Sequence, residues 1–159
     1  MDLKLKGKVA VVTGGSLGIG RAVTEALAAE GVRVAIVARS QGPLDQVARE
    51  ISAASGVEIL PIAADVSSTD QVNAMMDKAA AHFGRIDILV NGAAHPGGLV
   101  RSEIEDADPE GLLQDINIKV VGYMRCAKAA AAHMKAHGYG RIINIGGLTG
   151  RGSKQLSGM

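Results

Sequence analysis

The stretch Val9-Ala10-Val11-Val12-Thr13-Gly14-Gly15-Ser16-Leu17-Gly18-Ile19-Gly20 decides the fold. Its first four residues form an unbroken apolar run, the pattern of a strand buried on both faces rather than one. The glycines that follow are spaced G-x-x-x-G-x-G. Gly14 permits a sharp exit from the strand, and Gly18 lets the backbone approach a pyrophosphate. Gly20 lets the next helix pack closely on the sheet. Amides at the start of that helix would then face phosphates. No Lys-Ser/Thr pair follows the loop, which argues against a nucleoside-triphosphate site.

Working outward, the same alternation continues along the chain. Val34 to Ala38, Ile59-Leu60, Ile86 with Ile88 to Val90, and Ile142-Ile143 are further short apolar runs. Between them lie segments with helical spacing. Ile19, Val23 and Leu27 share one face, ending at Gly31. Leu44, Val47, Ile51 and Ala54 share another, with Pro43 at the first helical position. Val72, Met75, Met76, Ala79 and Phe83 follow Ser68, with Gln71 completing a capping box and Gly84 as the stop. Leu113, Ile116, Val120, Tyr123, Ala127 and Met134 mark the longest helix, ending near Gly138.

Strands alternating with helices at this spacing imply a parallel sheet built from right-handed βαβ units, with five strands and four helices. Pro61 falls inside the third strand, and proline is tolerated chiefly at a sheet edge. That favours the doubly wound order 3-2-1-4-5, in which the third strand is the edge. The expected organisation is one Rossmann-type α/β domain over residues 1–150, truncated after strand five, and a polar tail over 151–159.

Length and composition agree. At 159 residues the chain has the size of one domain and can bury a sizeable core. Hydrophobic residues are 47% and charged residues 21%, unlike a disordered chain. A net charge of +1 and only three aromatics, Phe83, Tyr123 and Tyr139, argue against nucleic acid as a partner. The apolar runs are too short for a membrane span, and the N-terminus lacks the apolar core of a signal peptide. The lone Cys126 suits a reducing compartment and reads as buried filler. A cytoplasmic location is expected. His133 and His137 lie four apart with no carboxylate nearby in sequence, so no metal site is expected. His95 reads as an ordinary loop residue. The run Ala129 to Ala132 reads as a surface for close packing.

Thr13 to Gly20, Asp65-Val66, Asn91 to Ala94, Asn117 and Gly140 to Ile145 are five segments that, in this order, resemble motifs of the classical short-chain dehydrogenase/reductase family. Thr13 to Gly20 looks like its T-G-x-x-x-G-I-G loop, and Asp65-Val66 follows strand three where the family contacts adenine. Asn91-Gly92-Ala93-Ala94 occupies the place of its N-N-A-G turn, departing from it at Gly92 and Ala94. Asn117 matches the Asn of its central helix, and Gly140 to Ile145 resembles the run into strand five. The resemblance covers the chain up to about Gly150. It implies an oxidoreductase passing a hydride between a nicotinamide dinucleotide and a small carbonyl or alcohol substrate, and a homo-oligomer when complete. Gly14, Ser16, Leu17, Gly18, Ile19 and Gly20 would lie along the pyrophosphate. Asp65 and Val66 would meet the adenine, Asn91 with Gly92 and Ala93 the nicotinamide side, and Asn117 the proton-relay end.

At the end of strand two, an acid would accept the ribose 2′-OH of NAD. Ala38 stands there, Arg39 follows, and Ser40 adds a hydroxyl. A cation without the acid favours the phosphate of NADP, with NAD as the alternative. The family's chemistry also needs a Ser after strand five and a Tyr-x-x-x-Lys pair, whose phenol must give up a proton that normally leaves near pH 10. Gly147 stands at the Ser position, with Thr149 two residues on, and no Tyr-x-x-x-Lys occurs in the chain. A non-catalytic nucleotide-binding module is therefore the rival expectation, and the 159 residues alone are expected to be inactive.

Overall fold

The structure is a computed structural model that describes residues 3–94 and 108–146. The expectations for His95, Gly147, Thr149 and the tail over 151–159 lie outside the described residues. Five strands, β1 (Val9–Thr13), β2 (Arg33–Ala38), β3 (Ile59–Ala63), β4 (Ile88–Asn91) and β5 (Arg141–Asn144), form one sheet. Every pair is parallel and the order is β3-β2-β1-β4-β5. Helices α1 (Gly18–Ala29), α2 (Gln41–Ser55) and α3 (Thr69–Phe83) connect the first four strands. This is the doubly wound Rossmann-type sheet that the apolar runs imply, and Pro61 sits in edge strand β3 opposite Ile36.

Side chains alternate strictly across the sheet, and both sides are covered. Val9, Val11, Ala35, Val37 and Leu89 enter a core with Met75, Met76 and Phe83 of α3. Ala10, Val12, Val34, Ile36, Ile88 and Val90 enter a second core with Ala28 of α1 and Leu44, Val47 and Ile51 of α2. With helices on both faces, no strand position in the middle can be polar, which explains the unbroken runs. The end of the sheet away from the strands' carboxyl ends is tied by Asp87, whose carboxylate is fully buried. It accepts the Val9 amide at 2.9 Å and Arg85 at 2.6 Å, with the Lys8 ammonium 3.8 Å away. That carboxylate holds the Arg85 guanidinium above its ordinary range.

The faces of α2 and α3 are largely as expected, with Leu44, Val47 and Ile51 buried in the first and Val72, Met75, Met76, Ala79 and Phe83 in the second, but the helices depart from the sequence expectation in four places. In α1 the buried residues are Gly20, Thr24 and Ala28, whereas Ile19 is 63% exposed. A Cβ on Gly20 would lie 2.1 Å from the Gly14 carbonyl oxygen, so only small residues fit the face that meets the sheet. In α2 the helix begins at Gln41, two residues before Pro43. Proline still lies in the first turn, where its missing N–H removes no helical bond. In α3 Ser68 does cap the helix by accepting the Gln71 amide, and Gly84 closes it in a left-handed conformation. The Gln71 side chain, however, reaches back to the Asp65 amide at 2.9 Å rather than to Ser68.

The fourth departure is the largest. The expected single helix is α4 (Pro109–Ile116), then a π-helical turn (Asn117–Val121), then α5 (Gly122–Ala136). The turn is closed by the Gly122 amide donating to the Asn117 carbonyl, one residue wider than an α-turn. The extra residue rotates the preceding face. Leu113, Ile116 and Val120 are exposed, and Ile118, Gly122, Cys126, Ala130 and Met134 carry the buried side. Cys126 is buried filler as expected, and burial pushes its thiol up to about 12. Among the described strands β5 pairs only with β4, and its Ile142 and Ile143 are 42% and 46% exposed.

Candidate functional site

The strands' carboxyl ends open into a cavity of about 560 Å³. Its floor and walls bring together residues far apart in the chain. Gly14, Ser16, Leu17, Gly18, Ile19 and Gly20 come from the glycine loop, Ala38, Arg39 and Ser40 from the end of β2, and Ala64, Asp65 and Val66 from the end of β3. Gly92 and Ala93 come from the turn after β4, and Ile118, Lys119 and Tyr123 from the opposite face. A crevice at this edge of a doubly wound sheet is where ligands of such folds bind.

The glycine loop is held from three sides. The Gly14 and Gly15 amides donate to the Val37 carbonyl at 2.8 and 3.2 Å. Gly14 has φ +74, and a Cβ there would lie 2.7 Å from the Gly92 carbonyl oxygen. The buried Thr13 hydroxyl accepts the Gly92 and Ala93 amides at 3.1 and 3.3 Å, locking the first loop to the turn after β4. Gly18 differs from its neighbours: its φ is +56 and a Cβ there would meet nothing within 4 Å. Helix α1 therefore starts beside open space.

That start is also uncapped. Its N-cap is Leu17, with no side-chain acceptor and no acid in the first turn. The contrast with α3, capped by Ser68 and carrying Asp70, is direct. The free amides of α1, with the positive end of its dipole, face the cavity as an anion site. The residues thus fit a dinucleotide: donors without an acceptor at the glycine loop and an apolar slot at Val66 and Ile118. Arg39, at the end of β2, is exposed and makes no hydrogen bond or ion pair.

Two expected residues do not line the cavity. Asn91 is fully buried, and its amide nitrogen donates to Asn144 Oδ1 at 2.9 Å and weakly to the Tyr123 carbonyl at 3.4 Å. It ties β4 to its register partner on β5, while Gly92 and Ala93 of the following turn reach the cavity. Asn117 is the first residue of the π-turn, and its carbonyl also accepts Arg125 at 3.2 Å. Arg125 further bonds Thr69 and the Val66 carbonyl, so it pins the π-turn to the loop that carries Asp65. Asp65 itself accepts the Ser67 amide at 2.8 Å.

Ile118, Lys119 and Tyr123 were not singled out by motif, and Thr13 entered only as the first residue of the glycine-loop motif. The only signal was the four-residue spacing of Lys119 and Tyr123 on one helical run. Tyr123 donates its phenol to the Ile145 carbonyl at 3.3 Å. Burial, then the charges of Asp115 and Cys126, push its pKa above the ordinary value. Asp115 is 3% exposed, and one carboxylate oxygen has no partner. His133 bonds Asp77 at 3.1 Å, a carboxylate that sequence distance had hidden. Among the described residues no cluster of three metal-ligating side chains occurs, and no helix is long and apolar enough to cross a membrane.

Comparison with known proteins agrees with this geometry. The short chain dehydrogenase family model matches residues 8–157. An uncharacterized oxidoreductase of Staphylococcus saprophyticus is 34% identical over 93% of this chain and 62% of its own length. Cis-4-hydroxycyclohexanecarboxylate dehydrogenase of Sinomonas cyclohexanicum is 39% identical over 90% of this chain and 56% of its own. Among solved structures, L-sorbose reductase from Gluconobacter frateurii, complexed with NADPH and L-sorbose, superposes with a TM-score of 0.83 at 37% identity. That match covers 91% of this chain and 54% of the reductase. NAD+-bound xylitol dehydrogenase gives 0.85 at 29% identity, covering 98% and 57%. The chain thus spans a little over half the length of the relatives it matches. With the family model covering nearly all of it and the cavity assembled from the same segments, the chain belongs to the short-chain dehydrogenase family.

Proposed function

We propose that these residues form the cofactor-binding part of an NADP-dependent oxidoreductase that interconverts a small carbonyl and an alcohol. The observation that carries this reading is the uncapped start of α1, open to a cavity that also holds Arg39 and no acid at the end of β2. The α1 amides would hold the pyrophosphate, and Arg39 with Ser40 the 2′-phosphate. Asp65, Val66 and Ile118 would enclose the adenine. The bound nicotinamide would supply the hydride. Asn117 would belong to the proton-relay end. A domain over 1–150, a cytoplasmic setting and a homo-oligomer belong to the same reading, as does a preference for NADP over NAD.

One observation favours a second reading, a nucleotide-binding module without turnover. The only phenol on the cavity, Tyr123, donates to a backbone carbonyl and is made less acidic by its surroundings, while the Ser position is Gly147. Binding a cofactor lowers no barrier unless groups also meet the developing alkoxide.

Thermal unfolding with each cofactor tests the first reading. NADPH is expected to raise Tm more than NADH, since a ligand stabilises by RT ln(1 + [L]/Kd). Arg39→Asp should narrow or reverse that order. Equal shifts in the unmutated chain would refute the NADP preference. A panel of ketones and alcohols decides between the readings: turnover that Asn117→Ala removes would establish catalysis, and none is expected from the 159 residues.

A further inference from the structure

Lys119 is a cavity residue that neither the motifs nor the family comparison accounts for. It stands in the π-turn, beside Ile118, and lines the same cavity as the glycine loop and Arg39. It is only partly exposed, yet its ammonium makes no hydrogen bond or ion pair. Among the described residues the other half-buried cations are matched: Arg21 with Glu25 and Glu50, Lys8 and Arg85 with Asp87, Arg33 with the Phe83 carbonyl, Arg125 with Thr69 and two carbonyls. The acid on the cavity wall, Asp65, has turned one carboxylate oxygen onto the Ser67 amide and forms no ion pair with Lys119. A cation drawn partly out of water without a counter-charge is costly unless an anion arrives to meet it.

The fold explains why the cation is there. An α-turn would follow Ile116 with the ordinary 3.6-residue rotation, whereas the π-turn inserts one residue. That rotation leaves Val120 63% exposed and brings Ile118 and Lys119 to the cavity. Two contacts fix it. Gly122 allows the turn to approach the Val66 carbonyl, where a Cβ would lie 3.1 Å away, and Arg125 clamps the Asn117 carbonyl to the same loop. Arg39 leads into α2, which packs on one face of the sheet, and Ile118 packs in the core on the other. The two unpaired cations therefore enter the crevice from opposite faces.

We propose that Lys119 is a second phosphate-binding cation of the dinucleotide site, closing on the ligand from the face opposite Arg39. The proposal rests on the dinucleotide reading above. The phosphate is either the 2′-phosphate or the pyrophosphate, and two cofactors tell them apart.

The test is Lys119→Gln in the full chain, with NADPH and NADH titrated separately by nucleotide fluorescence. Glutamine keeps the length and the helix preference of lysine, so the fold is retained. Lys128→Gln, on an exposed position of α5 outside the cavity, controls for the change in net charge. Loss of a charge-assisted contact is expected to weaken binding about tenfold. It should also flatten the dependence of affinity on salt. A greater loss for NADPH than NADH assigns Lys119 to the 2′-phosphate, and an equal loss assigns it to the pyrophosphate. Lys119→Arg should restore most of the affinity. Unchanged binding of both cofactors, or the same loss in Lys128→Gln, overturns the proposal while leaving the dinucleotide reading intact. An unmutated chain that binds neither cofactor overturns both.

Discussion

Replacing Gly20 or Gly18 with alanine separates the two jobs that the glycine loop performs. A Cβ on Gly20 would stand 2.1 Å from the Gly14 carbonyl oxygen and 2.7 Å from its carbon, both backbone atoms. Ordinary contact begins at 3.4 Å, so the first distance falls short by 3.4 − 2.1, or 1.3 Å. No flexible side chain can yield, so α1 must move away from the turn. Overpacking of this kind costs about 2–3 kcal/mol. For a chain of this length each kcal/mol lowers Tm by about 2–4 °C, giving a fall of roughly 5–10 °C. Gly18 is the opposite case. Its Cβ would meet nothing within 4 Å, and its φ of +56 costs alanine about 1–2 kcal/mol, hence only a few degrees. The added methyl instead projects where a ligand's phosphate would approach α1. Thermal unfolding with and without saturating NADPH reads both effects. Gly20→Ala should melt early, whereas Gly18→Ala should melt near the unmutated chain and lose most of the NADPH-dependent rise. A Gly20→Ala variant that melts like the unmutated chain would refute the steric account. A Gly18→Ala variant with the full NADPH shift would refute the assignment of that open space to the ligand.

Asp87→Ala strips the Val9 amide of its buried acceptor and leaves Arg85 unmatched. A loss of about 2–3 kcal/mol, or roughly 5–10 °C in Tm, is expected in scanning calorimetry with cofactor affinity little changed. The Cys126 thiol, pushed up to about 12 from 9.0, stays protonated in the fold while the unfolded thiol ionises. Its contribution is therefore constant below about pH 9 and is lost as pH rises from there toward 12. Denaturant melts of the unmutated chain and Cys126→Ala should converge over that window, and parallel pH curves would contradict it. Finally, β5 has one free edge among the described strands and two half-exposed isoleucines. Light scattering on the 159-residue chain should show self-association that Ile143→Lys reduces, and a monodisperse monomer of the unmutated chain would count against the reasoning.

The sheet was legible in the sequence because burial on two faces leaves no choice of residue. Val9 to Val12 and Val34 to Val37 must be apolar at every position, and Pro61 can be only at an edge. The helix faces were harder. Large apolar residues such as Ile19 and Leu113 attract attention, but the face of α1 that meets the sheet is set by what fits, namely Gly20, Thr24 and Ala28. The π-turn has no signature in spacing. It depends on where the Gly122 amide finds a carbonyl and on Arg125, whose partners Val66 and Thr69 lie more than fifty residues away. The same limit governs the site. Motif order picked out the glycine loop, Arg39, Asp65 and Val66, which the fold brings to the lining of one cavity. It could not show that Asn91 turns inward to Asn144, or that Lys119 reaches the cavity from the opposite face.

Lys119 and Tyr123 both line the cavity four residues apart, which invites comparison with the Tyr-x-x-x-Lys pair the chain lacks. Physical chemistry argues against the substitution. A proton-donating phenol works best with a pKa lowered toward neutrality, and an adjacent ammonium achieves this by favouring the phenolate. Here the shift runs the other way. Burial acts first, the Asp115 carboxylate adds to it, and Lys119 contributes no opposing effect. The phenol also spends its proton on the Ile145 carbonyl, anchoring the helical run to the end of β5. Tyr123→Phe should therefore cost about 1 kcal/mol of stability, the worth of one hydrogen bond, and leave NADPH affinity within about twofold. In a protein with any turnover, the pH profile should keep its shape. A Tyr123→Phe variant with unchanged Tm and cofactor affinity that lost both turnover and its alkaline limb would show that the phenol is the acid, and that a bound ligand reverses the shift seen in its absence.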